Sequence, residues 1–261
     1  MPAEDVAQTL RALGLRASTE ALSALIAHAT SSRFSPTEYC EQLVALERRE
    51  RDAANLARRS RTATLGTIPP LDGFEWAHPR TIDRDLYEAL LGLDFVERAQ
   101  NVLFRGPSGV GKTMLAQNLG LKALQEGYTV RYSTLAGALA DLLKQESLPA
   151  LERRLKHYTG PDLLILDELG YLPCDSRAAD VLYNIISRRH EQRSTVITTN
   201  LAFKQWGAIF PGAACVGALV DRFTQHCLVM DIDADSWRQK KLPPPAKPAV
   251  AAGRRRKRAG T

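Results

Sequence analysis

The amino-acid sequence predicts an α/β fold with an open, parallel, doubly wound sheet, and three observations carry that prediction. Short apolar runs at 102–104, 129–133, 163–169, 194–200 and 227–232 alternate with stretches of helical periodicity. A glycine-rich loop, Gly106-Pro-Ser-Gly-Val-Gly-Lys-Thr113, separates the first run from the helical pattern Met114, Leu115, Leu119. The third run, Leu163-Leu-Ile-Leu-Asp-Glu-Leu169, is apolar until two acids end it, as a strand buried on both faces requires when its C-terminal edge lines a site.

Ahead of this region, residues 1–65 read as a small helical domain. Val6, Leu10 and Leu13 share one helical face, and Ala21, Leu22, Leu25 and Ile26 another, with Gly14 between them. A third helix has an explicit start: Ser35 as N-cap, Pro36 at the first helical position, and Glu38 placed to complete a capping box. Its stripe of Tyr39, Leu43 and Leu46 continues into the charged segments 47–52 and 58–61. That charged end reads either as a contact for DNA phosphates or a partner protein, or as a solvated face with intrahelical ion pairs. Residues 66–83 form a linker opened by Gly66 and Pro69-Pro70, and the α/β domain is expected over 84–238.

Within that domain a helix is expected over 84–97, then the strand, glycine loop and helix. Two helices, 135–145 and 148–158, stand between the second and third strands, one more than a simple β–α repeat needs. Asp175 or Ser176 caps a helix over 178–192. A further helix, 217–223, precedes the last strand. Residues 239–261 form a proline-rich basic tail expected to stay disordered.

Charge and cysteine usage limit the function classes. Of 35 basic residues, nine stand after Ser236, where no acid occurs, so the net charge of +6 belongs to the tail and the body is slightly acidic. The run Arg254, Arg255, Arg256, Lys257 and Arg258 is the candidate DNA-binding element, and a solubilising appendage is its bland alternative. Four cysteines are scattered without a CxxC pair, which speaks against a thiolate metal site. The chain shows no leader pattern and no run of about eighteen apolar residues, so a cytoplasmic protein without a membrane partner is expected.

The glycine loop carries the chemistry. Gly106, Gly109 and Gly111 let the backbone, with Pro107, Ser108 and Val110 between them, curl its N–H groups toward phosphate oxygens. Lys112 is placed to reach the β- and γ-phosphates. Thr113 offers a hydroxyl to the magnesium that bridges them, and the helix N-terminus, with Met114 in its first turn, adds partial positive charge. Asp167, about fifty residues further on, fits the second half of the magnesium shell, and Glu168 fits the group that orients or deprotonates the attacking water. Asn200, at the end of the fourth run, reads either as a bridge between the γ-phosphate and the attacking water or as an Asn that ends a strand, and by itself the second is favoured.

Taken in order and spacing, the set 106–113, Asp167-Glu168, Thr198-Thr-Asn200, Val220-Asp-Arg222 and Asp235-Ser-Trp-Arg238 resembles the AAA+ ATPases. More narrowly it is similar to the IstB family of insertion-sequence transposition helpers, relatives of the DnaC-type helicase loaders. The start Phe34-Ser-Pro-Thr-Glu-Tyr39, the phrase Leu166-Asp-Glu-Leu-Gly-Tyr171 and Asp221-Arg-Phe223 take part in the likeness, and the extra helix resembles an insertion of the initiator clade that includes DnaA. The resemblance implies ATP and Mg2+ as cofactors and makes Asn200 sensor 1, Arg222 an arginine finger acting on a neighbouring subunit, and Arg238 sensor 2. It implies an oligomer on duplex DNA that serves an IstA-type transposase. A short C-terminal lid is expected, which leaves Arg238 open to the alternative of an exposed arginine. Rival readings are a helicase loader, which would use the same nucleotide residues, a small-molecule P-loop kinase, and an ATP-gated scaffold with little turnover.

Overall fold

Three helices open the chain in the computed structural model, which describes residues 2–170 and 175–237. They are α1 (Ala3–Ala12), α2 (Thr19–Ser31) and α3 (Pro36–Ala63). The capping box that starts α3 is formed: Ser35 N donates to Glu38 Oε2 at 2.7 Å, and Glu38 N donates to Ser35 Oγ at 3.2 Å. Ala7, Ala17 and Leu22 make a small core, with Leu10, Leu15, Ile26, Leu43 and Leu46 packed around it. Glu47 of α3 ties the three helices together by accepting from the backbone N–H groups of Arg16 and Ala17.

The far end of α3 leaves this small core and enters the main one. Ala63 and Leu65 are buried there, and Thr64, whose left-handed φ of 56° ends the helix, donates its hydroxyl to Tyr132 O at 2.5 Å. The linker that follows is docked rather than free. Its 3-10 turn, Leu71–Gly73, sits beside Phe74, and Ile68, Leu71, Trp76 and Ile82 pack on the main core.

The helix expected over 84–97 is two: α4 (Arg84–Leu91) and α5 (Asp94–Glu97). The break falls at Gly92 and Leu93, and Leu93 adopts a φ of 66° so that its own side chain and Phe95 both reach the core. Thereafter the order is β1 (Asn101–Arg105), α6 (Lys112–Gln125), β2 (Val130–Thr134), α7 (Leu135–Leu143), α8 (Leu148–Thr159), β3 (Leu163–Leu169), α9 (Ser176–Arg189), β4 (Ser194–Thr199), α10 (Trp206–Ile209), α11 (Val216–Thr224) and β5 (Cys227–Asp231). Asp175 caps α9 by accepting from Ala178 N at 2.8 Å, and α9 ends three residues before the expected limit at 192.

The five strands are parallel, in the order β2-β3-β4-β1-β5. Alternating side chains divide between two cores. Val102, Phe104, Leu163, Ile165 and Val196 face α4, α5, α6 and the end of α3; Leu103, Leu164, Leu166 and Ile197 face α7, α8, α9, α10 and α11. Helices on both faces make this the doubly wound sheet the sequence predicts. The loop after β1 therefore leaves the interior of the sheet at its C-terminal edge, where strand order jumps and a ligand crevice is expected. Among the described residues no helix is long and apolar enough to cross a membrane. The tail and any lid beyond Trp237 lie outside the described residues.

Candidate nucleotide-binding site

Backbone shape shows why the loop between β1 and α6 needs its glycines. Gly109 and Gly111 have φ values of 80° and 98°, a region that a Cβ disfavours. A Cβ on Gly106 would fall 2.2 Å from Ile232 O, and one on Gly111 would fall 2.6 Å from the Phe74 ring. Lys112 is 6% exposed, and its Nζ donates to Gly106 O at 2.7 Å and Pro107 O at 2.6 Å, so the ammonium is held inside the curl. The first turn of α6 contains no acid, leaving its N-terminal N–H groups and partial positive charge directed at the loop.

Three hydroxyls converge on the buried carboxylate of Asp167. Thr113 Oγ1 donates to Oδ1 at 3.2 Å, Thr198 Oγ1 donates to the same oxygen, and Tyr132 OH donates to Oδ2 at 2.7 Å. Burial first, then this bond to Asp167, pushes the Tyr132 hydroxyl above the usual tyrosine range, so it stays a donor. Thr113 and Asp167 give an oxygen-only pair, as a hard divalent cation such as Mg2+ requires.

Glu168 reaches the site by an irregularity. Between Leu166 and Leu169 the β3–β4 register shifts, and Glu168 takes a φ of 64°. Strict alternation would send residue 168 to the face of Leu164 and Leu166, a side-chain environment hostile to a carboxylate. The bulge instead passes that place to Leu169, which is fully buried with those leucines, while Glu168 is exposed and lines the cavity at the glycine loop.

That cavity, of about 410 Å³, has two chemically different kinds of lining. Residues 108–113, Glu168 and Thr198 bring the phosphate-directed groups; Pro69, Phe74, His78, Pro79, Met114 and Trp237 bring apolar and aromatic surface suited to a flat base, and Glu75 and Gln117 line it as well. The rings of His78 and Trp237 meet edge to face at 4.8 Å. A strap after β5 holds them: Trp237 N donates to Gly109 O at 3.1 Å, His78 Nε2 lies 2.9 Å from Asp235 O, and Arg80 bonds Asp235 at 2.8 Å.

Sequence reasoning located the loop and the acids but missed Tyr132, Thr198, Phe74, His78 and Trp237. The aromatic content of the docked linker was the available signal for Phe74, and the Thr198-Thr-Asn200 string for Thr198. Asn200 is exposed and lines a neighbouring cleft with Gly106, Pro107, Ser108 and Asp233 rather than the main cavity. Arg222, on α11, lies against α9 of its own chain: its guanidinium is 4.9 Å from the Tyr183 ring centroid and donates to Ser187 Oγ. Arg238 and residues 254–258 lie outside the described residues.

Sheet order, glycine loop and paired acids define a P-loop nucleoside-triphosphate-binding protein with the AAA+ fold. The shape of the cradle and the oxygen pair beside it fit a triphosphate with its cation. Residues 8–243 match the family described as IstB-like ATP binding protein, and the chain belongs to that family. A Pseudomonas aeruginosa protein of insertion sequence IS21, described as ATP-binding, is 34% identical over 220 residues, covering 84% of this chain and 83% of its own. A counterpart from insertion sequence IS232 of Bacillus thuringiensis subsp. berliner is 35% identical over 205 residues, 77% of this chain and 82% of its own. Among solved structures, DnaI shares the fold with a TM-score of 0.50 at 17% identity, over 57% of this chain and 81% of that one. The replication initiator DnaA bound to AMPPCP and single-stranded DNA also gives 0.50, at 20% identity, over 63% and 52%.

Proposed function

We propose that this protein hydrolyses ATP at junctions between copies of itself and, in an ATP-bound assembly on duplex DNA, assists the IstA-type transposase of an insertion sequence. The observation that carries the hydrolytic part is the bulge that brings Glu168 to the same cavity as Lys112 and Thr113, one residue beyond Asp167. A binding-only scaffold has no use for an exposed carboxylate held at strained φ beside the phosphate cradle.

Each residue has a task. The loop N–H groups and Lys112 hold and neutralise the phosphates, while the apolar surface seats the base against Phe74, His78 and Trp237. Thr113 and Asp167 would hold Mg2+, which supplies charge neutralisation on the phosphates when bound. Glu168 orients a water for attack and accepts its proton. Arg222 is absent from the lining of its own cavity, as an arginine that acts at a neighbour's nucleotide would be, and there such a residue can contribute roughly 10³–10⁵ in rate. Asn200 and Arg238 are assigned as sensors, and residues 254–258 as the phosphate-binding tail. The insertion-sequence origin of the relatives supports the transposition setting over helicase loading.

Release of free phosphate from ATP, with and without duplex DNA, tests the reading. Stimulation by DNA, lost in Glu168→Gln while nucleotide is still bound, is expected. Transfer of phosphate to a small acceptor instead of water would replace this reading with a kinase.

A further inference from the structure

We infer that Thr198 is the positioning residue that holds Glu168 in its water-directing place, by pinning the β3 bulge from the neighbouring strand. The inference rests on the proposed hydrolytic role of Glu168.

The Thr198 hydroxyl has two bonds and uses both at the bulge. It accepts from Glu168 N at 3.0 Å and donates to Asp167 Oδ1. One oxygen thus fixes the backbone of the carboxylate residue that must be exposed and the side chain of the one that must be buried. Geometry makes this oxygen hard to replace. With the ladder shifted between Leu166 and Leu169, the Glu168 N–H has left the regular β3–β4 pairing, and Thr198 Oγ1 is its partner. The φ of 64° at Glu168 is disfavoured for a side chain with a Cβ and persists only where neighbours over-determine it. Thr198 is 1% exposed yet lines the nucleotide cavity, so its position is fixed by packing and its polar atom lies among the phosphate-directed groups.

The adjacent threonine does different work, which isolates the role. Thr199 Oγ1 donates to Leu169 O at 2.8 Å and accepts from Leu201 N at 3.1 Å, closing the bulge on its far side without touching either acid. Without the Thr198 hydroxyl, residue 168 loses the bond that keeps it in the left-handed region. Its carboxylate then wanders by an ångström or more, a displacement that can cost about 10²-fold in rate.

The test compares Thr198→Val and Thr198→Ser with wild type and Glu168→Gln in the full chain, with ATP and duplex DNA. Two quantities are read: single-turnover phosphate release at saturating ATP, and hydrogen exchange at the amides of Glu168 and β1. Thr198→Val, similar in shape but without the hydroxyl, is expected to slow release at saturating ATP about 10²-fold and to speed exchange at Glu168 while the amides of β1 stay protected. Thr198→Ser is expected to restore both the rate and the protection. Wild-type release by Thr198→Val, or failure of Thr198→Ser to recover it while its Glu168 amide is protected, would overturn the inference. Loss of protection at the β1 amides in parallel with rate would overturn it too, since that marks general damage. If Glu168→Gln releases phosphate like wild type, the hydrolytic role of Glu168 fails instead, and the exchange data still report whether Thr198 pins the bulge.

Discussion

Tyr132 and Asp167 are joined across β2 and β3 by a 2.7 Å hydrogen bond from the phenol to Oδ2, and the backbone carbonyl of the same tyrosine accepts from Thr64 at the end of α3. The long helix of the N-terminal region therefore ends one residue away from the carboxylate assigned to Mg2+. Tyr132→Phe removes one of three hydroxyls from a buried charge. We expect a loss of roughly 1–3 kcal/mol in urea unfolding, together with weaker Mg2+ dependence of analogue binding. Unchanged stability would show that the remaining two hydroxyls satisfy Asp167.

Gly111 and Phe74 give a second prediction. With φ at 98° and the ring at 2.6 Å from any added Cβ, Gly111→Ala strains the loop and displaces the wall of the base pocket together. Affinity for a fluorescent ATP analogue should fall at least about tenfold with the circular dichroism spectrum unchanged. Equal binding by the variant would mean that the loop tolerates a different curl.

Away from the site, Asp141 predicts an acid-sensitive clamp between α7 and α8. Burial alone would raise its carboxyl, but hydrogen bonds from Arg154, Lys144 and Tyr158 outweigh that and hold it well below the usual carboxylate range. The unfolded chain, with a pKa of about 3.9, takes up the proton first as pH falls. The stabilisation is thus complete above about pH 4 and lost progressively below it. The difference in unfolding midpoint between wild type and Asp141→Asn should shrink as pH drops from 7 to 3; a constant difference would contradict the assignment.

Arg222 predicts complementation. A Glu168→Gln subunit keeps Arg222 but does not hydrolyse, and an Arg222→Ala subunit keeps Glu168 but has no arginine to offer. Mixed, they form junctions that unite an intact Glu168 with an intact Arg222. Phosphate release by the mixture should exceed that of either variant alone, and release equal to the weaker sum would place Arg222 outside the active junction.

These residues also show what can be read from sequence. The strand, glycine loop and helix were legible because loop shape is local: Gly109 and Gly111 demand their conformation wherever the chain goes. The start of α3 was legible for the same reason, since Ser35 and Glu38 satisfy each other within one turn. The bulge at Glu168 was not, because its partner Thr198 stands 30 residues away on another strand. The apolar surface of the cavity was only half legible. Phe74 and His78 lie in the linker close together in sequence, but Trp237 joins them only through a strap that folds back from β5. The break at Leu93 was hidden as well, because tertiary burial of Phe95 overrides a helical pattern that runs on to Glu97.

If ATP held at junctions between subunits controls assembly on DNA, molecular mass in solution should report it for wild type, Glu168→Gln and Arg222→Ala, each with and without ATP and duplex DNA. A large assembly is expected when ATP and DNA are both present, retained by Glu168→Gln and lost in Arg222→Ala. A wild-type protein that remains a monomer under all four conditions while hydrolysing ATP would contradict it.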